Sequence, residues 1–258
     1  MATETTEGRN LFQKIAKTIA IENLEPNDLF LRLTFPKMIK EHLVRYHFAV
    51  RTMREYFDQT NQITVLDVAC GRGYGTNILK TGSDNGKVMG IDIKFPYAKK
   101  AHQKYEEIQF ITGDAAQLPV AKETADVLVS FETVEHLPKE AQPEFIKEIY
   151  RVLKPGGIAI VSITYPYSLP GLGANPRHLH EPTSEELKKL FANNNLELKD
   201  QFGQIFVKPE QAEKAKKLNK IIPIWPIFAW NLFRNVEIGK VPKDSIALTN
   251  IYVFQKSA

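Results

Sequence analysis

Asp67 and three glycines at alternate positions, Gly71, Gly73 and Gly75, lie within VLDVACGRGYG, the run from Val65 to Gly75. Glycines so spaced let a backbone approach a ligand closely and turn sharply into a helix whose first amides are unpaired and electropositive. The chemistry this serves is the cradling of a cofactor. Nicotinamide dinucleotides are held in the same way by G-x-G-x-x-G, whose third glycine lets helix and strand approach; here that place holds Thr76. No Gly-Lys-Ser or Gly-Lys-Thr closes the loop, which excludes a P-loop gripping a triphosphate and its magnesium. Asp92 lies in a second apolar run, VMGIDI from Val88 to Ile93, about twenty residues beyond the loop. A carboxylate at such a strand end can accept bonds from both ribose hydroxyls.

The elements that must position these residues follow from the apolar runs. A third run, Ile108 to Ile111, leads into Gly113-Asp114-Ala115, and a fourth, Asp126 to Phe131, leads into Glu132-Thr133-Val134-Glu135-His136-Leu137. Glu148 to Val161, EIYRVLKPGGIAIV, reads as a helix ending at Lys154-Pro155-Gly156-Gly157 before a fifth strand. Strands apolar throughout and separated by helical segments imply an α/β fold with a parallel sheet covered on both faces. Its ligand belongs at the carboxyl ends of the strands.

With VLDVACGRGYG, VMGID, ITGDAAQLP, SFETVEHL and RVLKPGG in this order, the chain resembles the class I S-adenosylmethionine-dependent methyltransferases, and among them the small-molecule group called type 11. The resemblance covers roughly residues 35 to 200 and extends to the flanks EHLVRYHFA and NPRHLHEPTSEEL. It implies a Rossmann-like doubly wound sheet of seven strands, mostly parallel, with an antiparallel last strand. It also implies S-adenosylmethionine as cofactor and S-adenosylhomocysteine as product. By that resemblance Asp67 orients the loop and helps hold the cofactor's ammonium, and Gly71 and Gly73 leave room for its methionine moiety and ribose. Asp92 takes the ribose hydroxyls, with Ile93 beside it. Asp114 accepts from the adenine amino group, Ala115 offers its amide to a ring nitrogen, and Phe131 and Glu132 lie beside the methionine part. Ala69, counted with the cofactor contacts, stands where the family usually has glycine, a substitution that costs little if its backbone torsions are ordinary. The bland alternatives are plain turns for the glycines and helix caps or solvated loop ends for the aspartates.

The implied reaction is an in-line displacement that asks the protein to align acceptor and methyl carbon, exclude water and remove a proton where the acceptor must lose one. Bases then belong near the ends of strands four and five: Glu135 and His136 in the first case, His178, His180 and Glu181 in the second. Histidine suits the task because it titrates near neutrality. His136 is equally readable as a packing histidine bonded to a backbone carbonyl, and Glu135 as a capping or orienting group. Pro176 and Pro182 bracket His178 and His180 and favour an extended segment, in which alternate side chains point to opposite sides. At most one of the two then faces the reacting atom, and the subgroup's Asn-Pro-x-His pattern favours His178. Two histidines on opposite sides do not share an ion, so no metal site is expected.

The 258 residues, 43% hydrophobic, suffice for one substantial core with elaborations. One cysteine, Cys70, excludes an internal disulfide and reads as a small packing residue in a reducing compartment. The start, MATETTEGRN, lacks the basic-then-apolar pattern of a secretory signal, and residues 1 to 10 read as disordered. A cytoplasmic location is expected. The net charge of +4 is too slight to argue for nucleic acid, and FETVEH replaces the Asn/Asp-Pro-Pro-aromatic motif of amino-adenine methyltransferases.

Two flanking additions are expected to set the substrate: a helical cap within residues 1–60, and an insertion at 207–244 in the methyltransferase domain of 61–258. Thr34 can cap a helix entered near Pro36, and Ile39, Leu43, Tyr46, Val50, Met53 and Phe57 form its apolar stripe. That helix is expected to pack on the sheet domain, with Arg45 and Tyr46 as exposed residues that also close over the cofactor. Thr183 and Glu186 have capping-box spacing for a later helix ending at Asn193 to Asn195. Leu196 to Phe206 and Ile246 to Phe254 read as the last two strands, an antiparallel pair. Between them IIPIWPIFAWNLF, Ile221 to Phe233, is too short and too broken by proline to span a bilayer. It either packs through Trp225, Phe228 and Trp230 over the core or a homodimer surface, or, beside Lys208, Lys214, Lys216, Lys217 and Lys220, touches a lipid-linked substrate at a membrane surface. The expected acceptor is a small molecule, foremost a hydroxyl of a sugar or secondary metabolite. The alternatives are C- or O-methylation of an apolar quinone- or lipid-like compound, and a cofactor-binding scaffold that regulates a partner without turnover.

Overall fold

The computed structural model describes residues 36–58, 60–164, 177–210 and 237–257. In chain order these form α1 (Pro36–Tyr56), β1 (Thr64–Val68), α2 (Tyr74–Gly82), β2 (Lys87–Asp92), α3 (Phe95–Lys104), β3 (Gln109–Thr112), β4 (Ala125–Phe131), a 3-10 turn (Val134–His136), α4 (Gln142–Val152), β5 (Leu153–Thr164), α5 (Ser184–Ala192), β6 (Leu196–Val207), β7 (Ile238–Gly239) and β8 (Ile246–Lys256). The expected capping by Thr34, the disorder of residues 1 to 10, and the residues Trp225, Phe228 and Trp230 of the insertion all fall outside the described residues.

The sheet runs β3-β2-β1-β4-β5-β8-β6-β7. Pairing is parallel from β3 to β5, and β8 inserts between β5 and β6, antiparallel to both. Seven expected strands are thus joined by an eighth, the two-residue β7, which pairs with β6 through Gly203 and Gln204. The helix before β5 also stops earlier than expected, at Val152, and Lys154 to Gly157 belong to the strand. Pro155 cannot donate a helical bond and Gly156 adopts φ 75, so the helix yields at once to extended chain.

Because side chains alternate across a strand, consecutive residues feed different cores. Leu66, Leu128, Ala159, Val161 and Phe254 pack with Phe145, Ile149 and Phe191 on one face. Val65, Val127, Val129, Ile158, Ile160 and Val253 pack with Ala49, Met53 and Leu79 on the other. Covering both faces is what makes these strands continuous apolar runs rather than alternating ones.

Helix α1 belongs to the second core: Tyr46, Val50 and Met53 of the expected stripe are buried. It docks on α2 through missing side chains. A methyl group on Gly75 would lie 1.9 Å from the Tyr46 ring, and one on Gly82 would lie 2.5 Å from Val50. The third glycine of the loop is therefore the seat of an aromatic ring, and the Tyr46 ring in turn meets Tyr74 and Phe131 edge-on at 5.8 and 5.1 Å. Among the described residues no helix is long and apolar enough to cross a membrane.

Candidate active site

The carboxyl ends of β1, β2 and β4 converge on the glycine loop. Gly71 has φ 56, and a side chain added there would meet nothing within 4 Å, so open space lies above the loop backbone. Gly73 caps α2 with no side-chain bond, leaving first-turn amides for a ligand. Asp92, at the end of β2, accepts from the Gly71 amide through Oδ2 and from the Lys94 amide through Oδ1, each at 2.8 Å. These bonds hold the carboxylate at the loop's edge. Ile93 is 63% exposed and offers an aliphatic face beside it, as an aromatic base requires. Asp114 is exposed, and its Oδ1 accepts from the Ala116 amide at 2.9 Å, shaping the turn that carries Ala115. That turn is pinned from α4: Arg151 donates to the carbonyls of Leu118 and Val120, and Glu148 accepts from the Leu118 amide. An open backbone cradle, an acidic strand end and an apolar shelf fit an adenosyl cofactor carrying an amino acid moiety.

Asp67 lies beneath the loop, fully buried. It accepts from Thr76 Oγ1 at 2.6 Å and from the Tyr46 hydroxyl at 3.3 Å, tying the end of β1 to α2 and α1. Burial pushes its carboxyl up to about 7, against the lowering effect of those two bonds. Thr76, which replaces the third glycine of the dinucleotide pattern, thus has its own work here. Burial, with Asp67 and Asp92 nearby, pushes the Cys70 thiol well above its ordinary range, as expected of a packing residue.

Ala69 departs from expectation. It adopts φ 61, a left-handed conformation that costs a side-chain-bearing residue about 1–2 kcal/mol. Glu132, at the corresponding end of β4, does the same at φ 51. Two neighbouring central strands therefore end on strained non-glycine residues beside the candidate site, where such strain concentrates.

Arg45 and Tyr46 are not exposed: they retain 1% and 7% of their surface. Each is drawn inward by an acid of the sheet. Arg45 Nη1 pairs with Glu132 at 2.8 Å and donates to Gln204 Oε1 at 3.0 Å, while Nη2 meets His42 Nδ1 at 2.9 Å. Burial opposes the ionisation of Glu132, but Arg45, aided by His42, His136 and His178, outweighs it and holds the carboxyl down at about 2. Glu132 is thus a fixed negative charge beside Phe131, and α1 is a strut against it rather than a flap.

The candidate bases are brought together in part. His136 and His178, from segments 42 positions apart, meet edge to face with ring centres 4.9 Å apart. His136 Nδ1 bonds the Arg177 carbonyl at 3.1 Å, and His178 Nδ1 bonds Glu181 Oε1 at 2.5 Å. His180 points elsewhere, its Nδ1 on Gln142 Oε1 at 3.1 Å, so the alternate histidines do face different partners. Among the described residues no group of three or more side chains could hold a metal ion.

The segment carrying these histidines is fastened by the turn after β4. The Glu135 carbonyl accepts from the amides of Leu179 and His180, and Gln142 Nε2 donates to the carbonyls of Val134 and His180. Nothing in the sequence marks Gln142 for this; only the fold brings its amide between two loops. Downstream, the expected capping box forms: Thr183 accepts from the Glu186 amide, and Glu186 accepts from the Thr183 amide. Glu135 itself is buried, its Oε1 accepting from the amide and hydroxyl of Thr164, its Oε2 without a partner among the described residues. Burial, with Glu132 nearby, pushes its carboxyl up to about 7.

Residues 66–161 match the family model described as a methyltransferase domain. The chain is 33% identical over 145 residues to a probable S-adenosylmethionine-dependent methyltransferase of Mycolicibacterium smegmatis, covering 54% of each protein. It is 32% identical over 126 residues to a demethylmenaquinone methyltransferase of Lactococcus lactis, covering 46% of this chain and 49% of that protein. The chain spans about half the length of the curated relatives it matches. Its fold superposes on that of YcgJ from Bacillus subtilis with a TM-score of 0.58 at 18% identity, over 82% of this chain and 99% of the other.

Proposed function

From the premise that residues 66–161 are a class I S-adenosylmethionine-dependent methyltransferase domain of the type 11 kind, we propose that the protein transfers a methyl group to a small-molecule acceptor, foremost a hydroxyl. The observation that carries this reading is the open space over Gly71, flanked by the Asp92 carboxylate and the uncapped start of α2.

The cofactor supplies an electrophilic methyl group on a sulfonium, a good leaving group that needs no covalent help from the protein. Gly71 would make room at the loop, whereas the space beside Gly73 is taken by the Phe110 ring; Asp92 would accept from the ribose hydroxyls and Ile93 would cover one face of the base. Asp114 and the Ala115 amide would face the base edge. Ala69 and Phe131 would border the methionine part, and Glu132, held ionised by Arg45, would accept from its ammonium. Arg45 and Tyr46 would act through Glu132 and Asp67, fixing the acids rather than touching the cofactor from outside. His178 and His136 would take the proton that the acceptor loses, with Glu135 as the anchor of their segment.

Calorimetry tests the reading. S-adenosylhomocysteine should bind and a nicotinamide dinucleotide should not. Asp92→Ala, which loses two charge-assisted bonds, should weaken binding by about 30-fold or more while the fold persists by thermal melt. Binding of the dinucleotide alone would sink the proposal.

A second reading concerns the acceptor. The Lactococcus lactis relative is named for demethylmenaquinone, Leu179 beside the histidine pair is 60% exposed, and residues 221–233 are strongly apolar in sequence. These favour an apolar quinone- or lipid-like substrate met at a membrane surface. Flotation with anionic liposomes, lost in a Trp225→Ala/Phe228→Ala variant, would support it; no flotation of the intact protein would remove it. Bound cofactor without turnover on hydroxylated metabolites or reduced quinones would instead favour a non-catalytic scaffold, and sedimentation tests the homodimer.

A further inference from the structure

The two facing imidazoles differ in what their Nδ1 atoms touch, and this fixes their protons. A carbonyl and a carboxylate only accept, so Nδ1 of His136, on the Arg177 carbonyl, and Nδ1 of His178, on Glu181, must each carry the hydrogen. In the neutral ring the lone pair is then on Nε2. For both rings the hydrogen bonds formed within the described structure run through Nδ1 alone, which leaves Nε2 for a ligand. The partners separate their roles. A carbonyl holds a ring in place, whereas a carboxylate also stabilises the imidazolium that forms when the ring takes a proton. The His178 side chain is 8% exposed and that of Glu181 19%, so this bond is largely sheltered from water, which strengthens it.

Resting on the methyl-transfer reading above, we infer that His178 takes the acceptor's proton on Nε2, that Glu181 is its positioning carboxylate, and that the acceptor is accordingly an O–H compound rather than one already nucleophilic. The proton leaves the hydroxyl for Nε2; the oxygen's electron pair makes the new bond to the methyl carbon, and the carbon–sulfur pair stays on sulfur. His178 leaves as imidazolium, its Nδ1–H still on Glu181, and returns its proton to water. His136 orients the pair through the Arg177 carbonyl and meets the His178 ring edge to face. The charged and titratable groups around His178 are Glu181 from its own segment, His136 and Glu135 from the turn, and Glu132 just past β4, whose charge Arg45 balances. None of these competes with Glu181 for Nδ1.

The test uses the full chain, ring-labelled with nitrogen-15 at histidine and saturated with S-adenosylhomocysteine. Long-range proton–nitrogen correlation should place a hydrogen on Nδ1 and none on Nε2 of His178, the signal being assigned by its absence in His178→Asn. Glu181→Gln should release that preference into a mixture of tautomers, and Glu181→Asp should restore it. A hydrogen on Nε2 in the wild type, or a tautomer indifferent to Glu181→Gln, overturns the inference. A second arm adds 4-nitrophenol at a pH where the free probe is neutral. The wild type should show the phenolate band, His178→Asn should not, and absence of the band in the wild type overturns the hydroxyl assignment. Calorimetric binding of S-adenosylhomocysteine to every variant keeps these failures distinct from failure of the cofactor reading, and equal thermal melts exclude a merely structural loss.

Discussion

Replacing Arg45 with methionine removes a buried charge while keeping most of the volume, and the consequence follows from Glu132. In the folded protein that carboxyl is held at about 2, against an ordinary value of 4.5. By linkage a displacement of this size is worth about 3 kcal/mol of stability at neutral pH. Because the folded value lies below the unfolded one, this stability is complete above the ordinary carboxylate range and is lost as pH falls through it toward about 2. Arg45→Met removes the largest group opposing the acid's burial and takes a donor from Gln204 Oε1. Breaking a buried pair of this kind costs about 3–5 kcal/mol. In a chain of this size each kcal/mol moves the melting temperature by about 2 °C or slightly more, so a fall of about 6–10 °C at pH 7 is expected. The pH dependence is the sharper signature. In the variant Glu132 binds its proton more tightly folded than unfolded, so the variant gains from mild acidification and its deficit should be smaller at pH 5 than at pH 7. Urea unfolding at both pH values, with Glu132→Gln and the double variant completing a cycle, measures this. A deficit equal at the two pH values, or a double variant whose loss is the sum of the singles, would refute the assignment of Glu132 as the charge that Arg45 serves.

Other expectations follow from single positions. Ala69→Gly relieves the left-handed strain at φ 61 against a small gain in unfolded-chain entropy, so urea unfolding should show stabilisation of about 0.5–1 kcal/mol. Gly75→Ala places a methyl group 1.9 Å from the Tyr46 ring, so it should cost more than 2 kcal/mol, and Tyr46→Ala in the same chain should cost less than its effect alone predicts. Glu135→Gln removes a buried acid whose folded value of about 7 lies above its ordinary 4.5. Such a group favours the folded state at low pH and loses that contribution as pH rises through about 7, so the variant's stability should decline less between pH 5 and pH 8. Asp67 contributes a decline of the same sign, so part of the slope should survive.

What the sequence makes legible is whatever is settled over a few residues. The loop glycines, the acid ending β2 and the capping box of Thr183 and Glu186 all carry their meaning in spacing, and each lies where spacing puts it. What long-range packing decides is less legible. Arg45 and Glu132 are 87 positions apart, and a solvent-facing arginine and a buried one look alike in a helix that is polar on one side. The left-handed Ala69 gives no signal, since alanine is compatible with ordinary torsions and only the strand geometry demands otherwise. The pairing of His178 with Glu181 is local, yet proline-bracketed segments have no fixed period from which a three-residue offset predicts contact. The placement of His136 against that pair depends on Gln142 and on the Glu135 carbonyl.

The position of β8 has a consequence for the order of assembly. Of the described strands it leaves the ribosome last, yet it sits inside the sheet, with Ile251 and Val253 in one core and Tyr252 and Phe254 in the other. Until it arrives, β5 and β6 have no common neighbour and each presents an open row of amides and carbonyls. The nucleotide-facing half can zip up beforehand, since β1 to β5 pair among themselves. A nascent or clipped chain lacking this one strand would therefore keep a nearly complete cradle on one flank and a template for β-aggregation on the other.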